Sequence, residues 1–305
     1  MTPAHVLERP PDLLRVSDLT REQLVALLDL SAGIKSEPRR FLDALHGETL
    51  ALIFEKPSTR TRVSMSAAAA RLGMLPLSLR PDELQLGRGE PIADTARVLS
   101  GYCAAIAIRT FAHELVEELA EAATVPVINA LTDEHHPCQA LGDMLTLRER
   151  LGRLDGIALA YVGDGNNVCN SLVEAGNLLG LDVRVACPAG YEPKVAGATV
   201  TADPLEAVRG ADAVYTDVWV SMGADDERSE RTARLGRYRV DRPLMNAAAP
   251  GAIFLHCLLA HRGEEVAAEV IDGPRSAVWQ QAENRMWTEQ ALLLVLAGGG
   301  FPDAG

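Results

Sequence analysis

Phe54-Glu55-Lys56-Pro57-Ser58-Thr59-Arg60-Thr61-Arg62-Val63-Ser64 is the stretch on which the reading of this 305-residue chain turns. Just before it, Thr49-Leu50-Ala51-Leu52-Ile53-Phe54 is an apolar run of strand length. Just after it, residues 63–72 are rich in alanine and stop at Gly73, the pattern of a helix with a glycine beyond its end. A strand that becomes a helix through Ser58, Thr59, Arg60, Thr61 and Arg62 places hydroxyls and guanidinium groups beside exposed backbone N–H groups. A helix start carries a positive partial charge and attracts anions. Guanidinium groups grip phosphate oxygens in pairs. A capped helix start with solvated arginines is the plainer alternative. Five such residues in succession turn the reading toward an anion site.

Working outward, Thr20-Arg21-Glu22-Gln23 has the form of a capping box and opens an amphipathic helix through Leu24, Leu27, Leu28 and Ile34. Residues 75–79 read as another strand. The polar loop Gln85-Leu86-Gly87-Arg88-Gly89-Glu90-Pro91 precedes a helix over 92–100, and by themselves Gln85 and Arg88 read as solvated. A buried-strand run over 104–108 ends at Arg109. A polar side chain just past a strand's carboxyl end is where open α/β sheets meet ligands, with a surface arginine as the alternative. A helix over 114–123 and a strand over 125–128 follow. Adjacent His135 and His136 invite a metal reading, but no third ligand stands at a sensible spacing. The simpler reading projects His136 and Gln139 from the start of a helix over 139–150, where they can donate to a carbonyl oxygen or an amide.

After a turn at 152–156 the alternation of strand and helix begins again, with a strand over 157–162. Gly163-Asp164-Gly165-Asn166-Asn167-Val168 tempts a nicotinamide-cofactor reading, but Val168 stands where the dinucleotide fingerprint needs its third glycine. The glycines then make a tight turn that exposes Asn167. Strands over 182–186 and 211–215 follow, the second leading into Asp217-Val218-Trp219-Val220-Ser221-Met222-Gly223. Asp217 and Ser221 could hold an amino acid, a carboxylate for an ammonium and a hydroxyl for a polar end, or could form a capping turn. Residues 224–239 are dense in Asp, Glu and Arg, which predicts a mobile surface segment beside that loop. A strand over 252–255 ends at His256-Cys257-Leu258-Leu259. Cys257 is either a small buried hydrophobe or, at a strand's carboxyl end, a substrate contact. A last helix spans 282–296, with Arg285 near its start.

Length suits two domains of ordinary size. A net charge of −13 argues against general nucleic-acid binding and leaves room for a local basic pocket. No apolar run approaches the eighteen residues of a membrane span, and the first fourteen residues carry no signal pattern, so a cytoplasmic protein is expected. Five scattered cysteines fit reduced thiols rather than a disulfide framework.

Taken together, these stretches resemble the ornithine carbamoyltransferase family. Ser58-Thr59-Arg60-Thr61 is similar to its phosphate signature, and His136-Pro137-Cys138-Gln139 to its His-Pro-x-Gln motif. The likeness runs from about Leu13 to Leu296 and is most specific at 54–64, 85–97, 127–142, 161–172, 215–223 and 254–266. The Ser221-Met222-Gly223 motif separates it from aspartate carbamoyltransferases. The resemblance implies two doubly wound parallel-sheet α/β domains: a carbamoyl-phosphate-binding domain at 1–138, an ornithine-binding domain at 139–281, and a C-terminal helix, 282–305, packing back on the first. It implies homotrimers whose Gln85 loop enters the neighbouring subunit. It implies transfer of the carbamoyl group from carbamoyl phosphate to the side-chain amine of L-ornithine, giving L-citrulline and phosphate, with neither metal nor cofactor.

Carried over residue by residue, Ser58, Thr59, Arg60, Thr61 and Gln85 take the phosphate. Thr61, Arg109 and His136 polarise the carbonyl. Gln139 takes the carbamoyl amino group, with Pro137 and Cys138 between it and His136. Asn167, Asp217, Ser221 and Met222 take ornithine. Cys257 with Leu258 meets the reacting amine and the carbamoyl group, and Arg285 completes the oxyanion side. Arg60, Arg109, His136 and Cys257 form the catalytic set. Two positions depart from the family. Leu259 stands for the proline of His-Cys-Leu-Pro, whose preceding peptide bond is cis in the family, so here that bond is either held cis or is trans with Cys257 shifted. Trp287 replaces a smaller polar residue and reads as packing. The rival readings are a carbamoyltransferase for another amine, an inactive paralogue suggested by Leu259, and a dehydrogenase resting on Gly163 and Gly165.

Overall fold

The computed structural model describes residues 7–80, 89–220 and 228–302. It divides into two compact units, Met1–Cys138 with Arg285–Gly305, and Gln139–Asn284.

The first unit runs α1 (Arg21–Ser36), β1 (Thr49–Phe54), α2 (Arg60–Arg71), β2 (Leu75–Leu79), α3 (Ile92–Ser100), β3 (Ala105–Arg109), α4 (His113–Ala122) and β4 (Val127–Leu131). The capping box at Thr20 forms: the Gln23 amide nitrogen of the backbone donates to Thr20 Oγ1 at 3.2 Å, and Thr20 N donates to Gln23 Oε1 at 2.8 Å. The four strands are parallel, in the order β2-β1-β3-β4. Buried on both faces, β1 and β3 read as continuous apolar runs rather than alternating ones. Ile53, Ile106, Ile108, Val116, Leu119 and Val127 share one core. The chain goes from β1 to β2 on one side and then crosses from β2 past β1 to β3 on the other, so the switch point lies between the carboxyl ends of β1 and β3. Open α/β sheets bind ligands at such a switch point. Phe54 and Arg109, the last residues of those strands, are partners in register.

Helix α5 (Pro137–Leu151) leads into the second unit, with β5 (Ala158–Val162), α6 (Asn167–Leu179), β6 (Asp182–Ala186), β7 (Thr199–Thr201), α7 (Pro204–Val208), β8 (Ala213–Thr216), α8 (Arg228–Leu235), α9 (Arg242–Ala247), β9 (Ile253–His256) and α10 (Ala268–Ile271). Helix α11 (Val278–Ala297) closes the series and passes from this unit into the first at Arg285. Five parallel strands lie in the order β7-β6-β5-β8-β9, over a core that includes Ala160, Val162, Val214, Phe254, Leu235 and Tyr238. Here the switch point falls between β5 and β8. Both units are thus parallel-sheet α/β domains, as the alternating pattern predicts.

Several boundaries move. Helix α2 begins at Arg60 rather than 63, β4 extends through Asn129 to Leu131, and α11 starts at Val278 rather than 282. In the charged segment, residues 224–227 lie outside the described residues; Arg228–Leu235 is a helix and Gly236–Tyr238 a 3-10 turn, most of whose residues are exposed at the surface. Leu235 and Tyr238 are buried in the second core, and Arg231 donates to Asp164 at 2.7 Å. Two apolar anchors and the ion pairs of Arg231 with Asp164 and Arg228 with Glu264 seat a segment whose composition is otherwise polar. Among the described residues, no helix is long and apolar enough to cross a membrane.

Candidate active site

The anion loop sits at the first switch point. Thr59, the N-cap of α2, lies in the helical region at φ −92° and ψ −56°, and its side chain makes no capping hydrogen bond. The first turn of α2 carries no acidic residue. The helix start therefore keeps its positive end, and the hydroxyl-capped alternative is not what the chain does at Thr59. Thr59 and Arg60 are exposed, Ser58 is half-buried and Thr61 is buried.

Groups that the sequence reading passed over hold this loop. Glu55 N donates to Arg109 O at 2.9 Å, and the Glu55 carboxylate accepts from the Thr110 hydroxyl. Lys56 is buried, paired with Asp133, and lies 4.1 Å from the centre of the Phe111 ring. A lysine and a glutamate abutting an apolar strand were the available signal. Arg62 stacks on Phe54 at 4.9 Å.

Arg285, on α11, comes to the same place. Its Nη2 donates to Thr61 Oγ1 at 2.8 Å and to Glu289 Oε1 at 2.8 Å. Trp287 is buried beneath the Arg71 guanidinium, which lies 4.9 Å from its ring centre, so it packs as expected. His136 is buried immediately before α5. Burial, and then Arg285, Arg109 and Arg60 in that order, push its imidazole well below the usual histidine range. At neutral pH it is uncharged, with one N–H to donate. His135 belongs to the supporting turn: its backbone N–H donates to Thr132 Oγ1 at 3.1 Å, and its ring packs 4.9 Å from His113. Pro137 occupies the first helical position, where a missing N–H costs nothing. Cys138 is fully buried, its thiol turned to Asn129 O at 3.5 Å and pushed up to about 12 chiefly by burial. That thiol stays protonated at neutral pH. Thr61, His136, Arg60, Arg109 and Arg285 are therefore gathered within the first unit.

In the second unit, Asp217 is the hub. Cys257 Sγ donates to Asp217 Oδ1 at 2.7 Å, and Asn166 Nδ2 donates to Oδ2 at 2.7 Å. Asn166 also caps α6, its Oδ1 accepting from Val168 N at 3.0 Å and Cys169 N at 3.2 Å. It joins the ends of β5 and β8 across the second switch point. The sequence reading singled out Asn167 and missed Asn166. Asn167 is half-buried, and its Oδ1 accepts from Val168 N at 3.0 Å. Gly163 has φ 134°, and a Cβ at Gly165 would lie 2.5 Å from both Tyr191 O and Pro193 N. The two glycines serve the tight turn and a close chain approach.

Cys257 is half-buried at the end of β9, and the Leu258–Leu259 peptide bond is cis. His256 Nδ1 accepts from Leu258 N at 2.9 Å, which leaves the ring proton on Nε2, 3.3 Å from Glu265 Oε1. Gln139 Nε2 donates to Asp143 Oδ1 at 2.8 Å. The carboxylate fixes the orientation of that amide, and Gln139 Oε1 is buried with no hydrogen-bond partner among the described residues. Among the described residues, Asp217, His256 and Cys257, and again His261, Glu264 and Glu265, bring three metal-capable atoms within 4.8 Å of one another. Much of that capacity is spent internally, on the Cys257–Asp217, His256–Glu265 and His261–Glu265 contacts. Gln85, Ser221 and Met222 lie outside the described residues.

Residues 11–149 match the family model for the aspartate/ornithine carbamoyltransferase carbamoyl-P binding domain, and residues 155–296 match the model for the Asp/Orn binding domain. An ornithine carbamoyltransferase of Methanothermobacter thermautotrophicus is 55% identical over 300 residues, covering 94% of this chain and 98% of that one. One from Parasynechococcus marenigrum is 53% identical over 301 residues, 94% of each chain. Among solved structures, the Pyrococcus furiosus ornithine carbamoyltransferase superposes with a TM-score of 0.92 at 47% identity, covering 97% of this chain and 99% of that chain.

Proposed function

The chain belongs to the aspartate/ornithine carbamoyltransferase family, and from that premise we propose that it transfers the carbamoyl group of carbamoyl phosphate to the side-chain amine of L-ornithine. The products are L-citrulline and phosphate. The observation that best supports the reading is the cluster of the uncapped α2 start, Thr61, Arg285 and a neutral His136 flanked by three guanidinium groups. It is a site made for a doubly charged leaving group beside a polarised carbonyl.

In this reading Ser58, Thr59, Arg60, the α2 amides and Gln85 of a neighbouring subunit seat the phosphate. Thr61, Arg109, Arg285 and the His136 N–H face the carbonyl oxygen, where negative charge develops. Preorganised donors are the main catalytic device in such a step. Gln139 Oε1 accepts from the carbamoyl amino group. Pro137 and Cys138 contribute through the backbone at the start of α5, because the Cys138 thiol is already turned to Asn129. Asn167, Asp217, Ser221 and Met222 hold ornithine. The free amine has a pKa of roughly 10.4 and must lose a proton to attack. Asp217 receives and orients the ammonium beside Cys257, with Leu258 alongside; the neutral amine is the species that attacks, and the proton it sheds on bond formation leaves with the phosphate. A C–N bond forms, the carbon–oxygen bond to phosphate breaks, and phosphate departs.

The domain assignment follows: carbamoyl phosphate is bound by 1–138, ornithine by 139–281, and 282–305 serves the first domain. The protein works in the cytoplasm, in keeping with its five free thiols, as a homotrimer with shared sites in arginine biosynthesis. The test is a colorimetric citrulline assay with an amine panel. Citrulline from ornithine supports the reading. Product only from another amine, or none at all, overturns it.

A further inference from the structure

The cluster of positive charge in the first unit contains one buried carboxylate that the proposed reaction does not use. Glu289 is 1% exposed and sits one helical turn beyond Arg285 on α11. Both N–H bonds of Arg285 Nη2 have an acceptor at 2.8 Å, one being Thr61 Oγ1 and the other Glu289 Oε1. Ser64, one turn along α2 from Thr61, donates its hydroxyl to Thr61 O at 3.4 Å. The carboxylate is thus tied to the guanidinium, and through it to Thr61 in the first turn of α2. An apolar side chain of similar volume would meet the packing; what the acid adds is a counter-ion and acceptor for the buried Arg285.

We propose that Glu289 is a positioning residue for the carbamoyl-phosphate half-site: it fixes the Arg285 guanidinium against Thr61 and cancels one of the positive charges gathered there. Its two effects oppose each other. Fixing Arg285 aids the transition state, because a donor held in place needs no reorganisation when charge develops. Cancelling charge weakens the grip on the doubly charged product and eases its release. The inference rests on the reading of this site as one for carbamoyl phosphate. Burial raises the Glu289 carboxyl above its ordinary range, and Arg285 opposes that rise.

The two effects separate in two variants of the full-length protein. Glu289→Gln keeps an acceptor for Arg285 and removes the charge. It is expected to retain kcat within about threefold and to bind inorganic phosphate at least about threefold tighter, by product inhibition and by calorimetry. Glu289→Ala removes both acceptor and charge. It is expected to lower kcat/KM for carbamoyl phosphate by about tenfold or more while the ornithine KM stays within about twofold. A purely structural role would lower both variants' thermal stability and leave this split absent. Unchanged phosphate binding in Glu289→Gln, or an Ala variant with intact kcat/KM, overturns the proposal. Should the Ala variant not fold, phosphate calorimetry on Glu289→Gln decides alone. Should the wild type make no citrulline, the carbamoyl-transfer reading fails, and the same calorimetry still tests Glu289.

Discussion

His136 shows how one proton sets the chemistry of a residue. A histidine among three arginines is useful as a neutral donor, and burial and those charges hold it so. Replacing it by alanine removes one donor to the developing oxyanion and should lower kcat by on the order of 10²–10³. Steady-state rates with both substrates saturating check this. The pH dependence has a definite sign. The unfolded histidine titrates near 6.5 and the folded one well below. As pH falls below about 6.5 the unfolded chain takes up a proton that the native protein refuses, so stability falls. His136→Gln should flatten that decline in denaturant melts between about pH 6.5 and 5. A melt series in which the variant and the wild type lose stability in parallel would contradict the buried neutral state. At this scale the sequence was legible where the chemistry is contiguous. Ser58 to Arg62, and His136 with Gln139, declare themselves as neighbours. Asn166 and Glu289 do not, because the partners that give them meaning, Asp217 for one and Thr61 through Arg285 for the other, are 51 and more than 200 residues away.

Among the elements, the start of α6 carries the most consequence for the half-site proposed to take ornithine. Asn166 caps the helix and steadies Asp217 with the same side chain. Asn166→Ala should cost about 1 kcal/mol through the lost cap, read as a lower denaturation midpoint. It should also raise the ornithine KM more than the carbamoyl phosphate KM, because Asp217 loses a donor that orients it. Equal shifts in both would deny Asn166 this part. Gly165→Ala forces a Cβ within 2.5 Å of two backbone atoms and should destabilise by more than about 1 kcal/mol, again measured by denaturant titration. The long, strongly patterned strands and helices were readable from apolar runs and their stops. The pieces that were not, such as β7 of three residues and α10 of four, are too short to show a period. Helix α8 was not readable for another reason: the density of charge over residues 224–239 masks Leu235 and Tyr238, which seat an otherwise exposed segment.

At the scale of the molecule, a chain of net charge −13 concentrates arginines at one switch point and a carboxylate hub at another. Under the proposed reaction each unit would serve one substrate, and each candidate cluster lies at strand carboxyl ends, where parallel sheets meet ligands. The remaining group is Gln85, which the family resemblance assigns to a neighbouring subunit. That assignment yields a mixing experiment. A Gln85→Ala variant lacks the donated glutamine, and a Cys257→Ala variant lacks the half-site residue that receives the amine. Each alone should be nearly inactive. If every site takes Gln85 from one subunit and Cys257 from the next, trimers reassembled from an equal mixture should contain roughly one fully native site in four. Citrulline production should then rise well above that of either parent after denaturation and refolding together. If Gln85 serves the site of its own chain, no mixed trimer can hold a native site, and co-refolding should give only the average of the two parents.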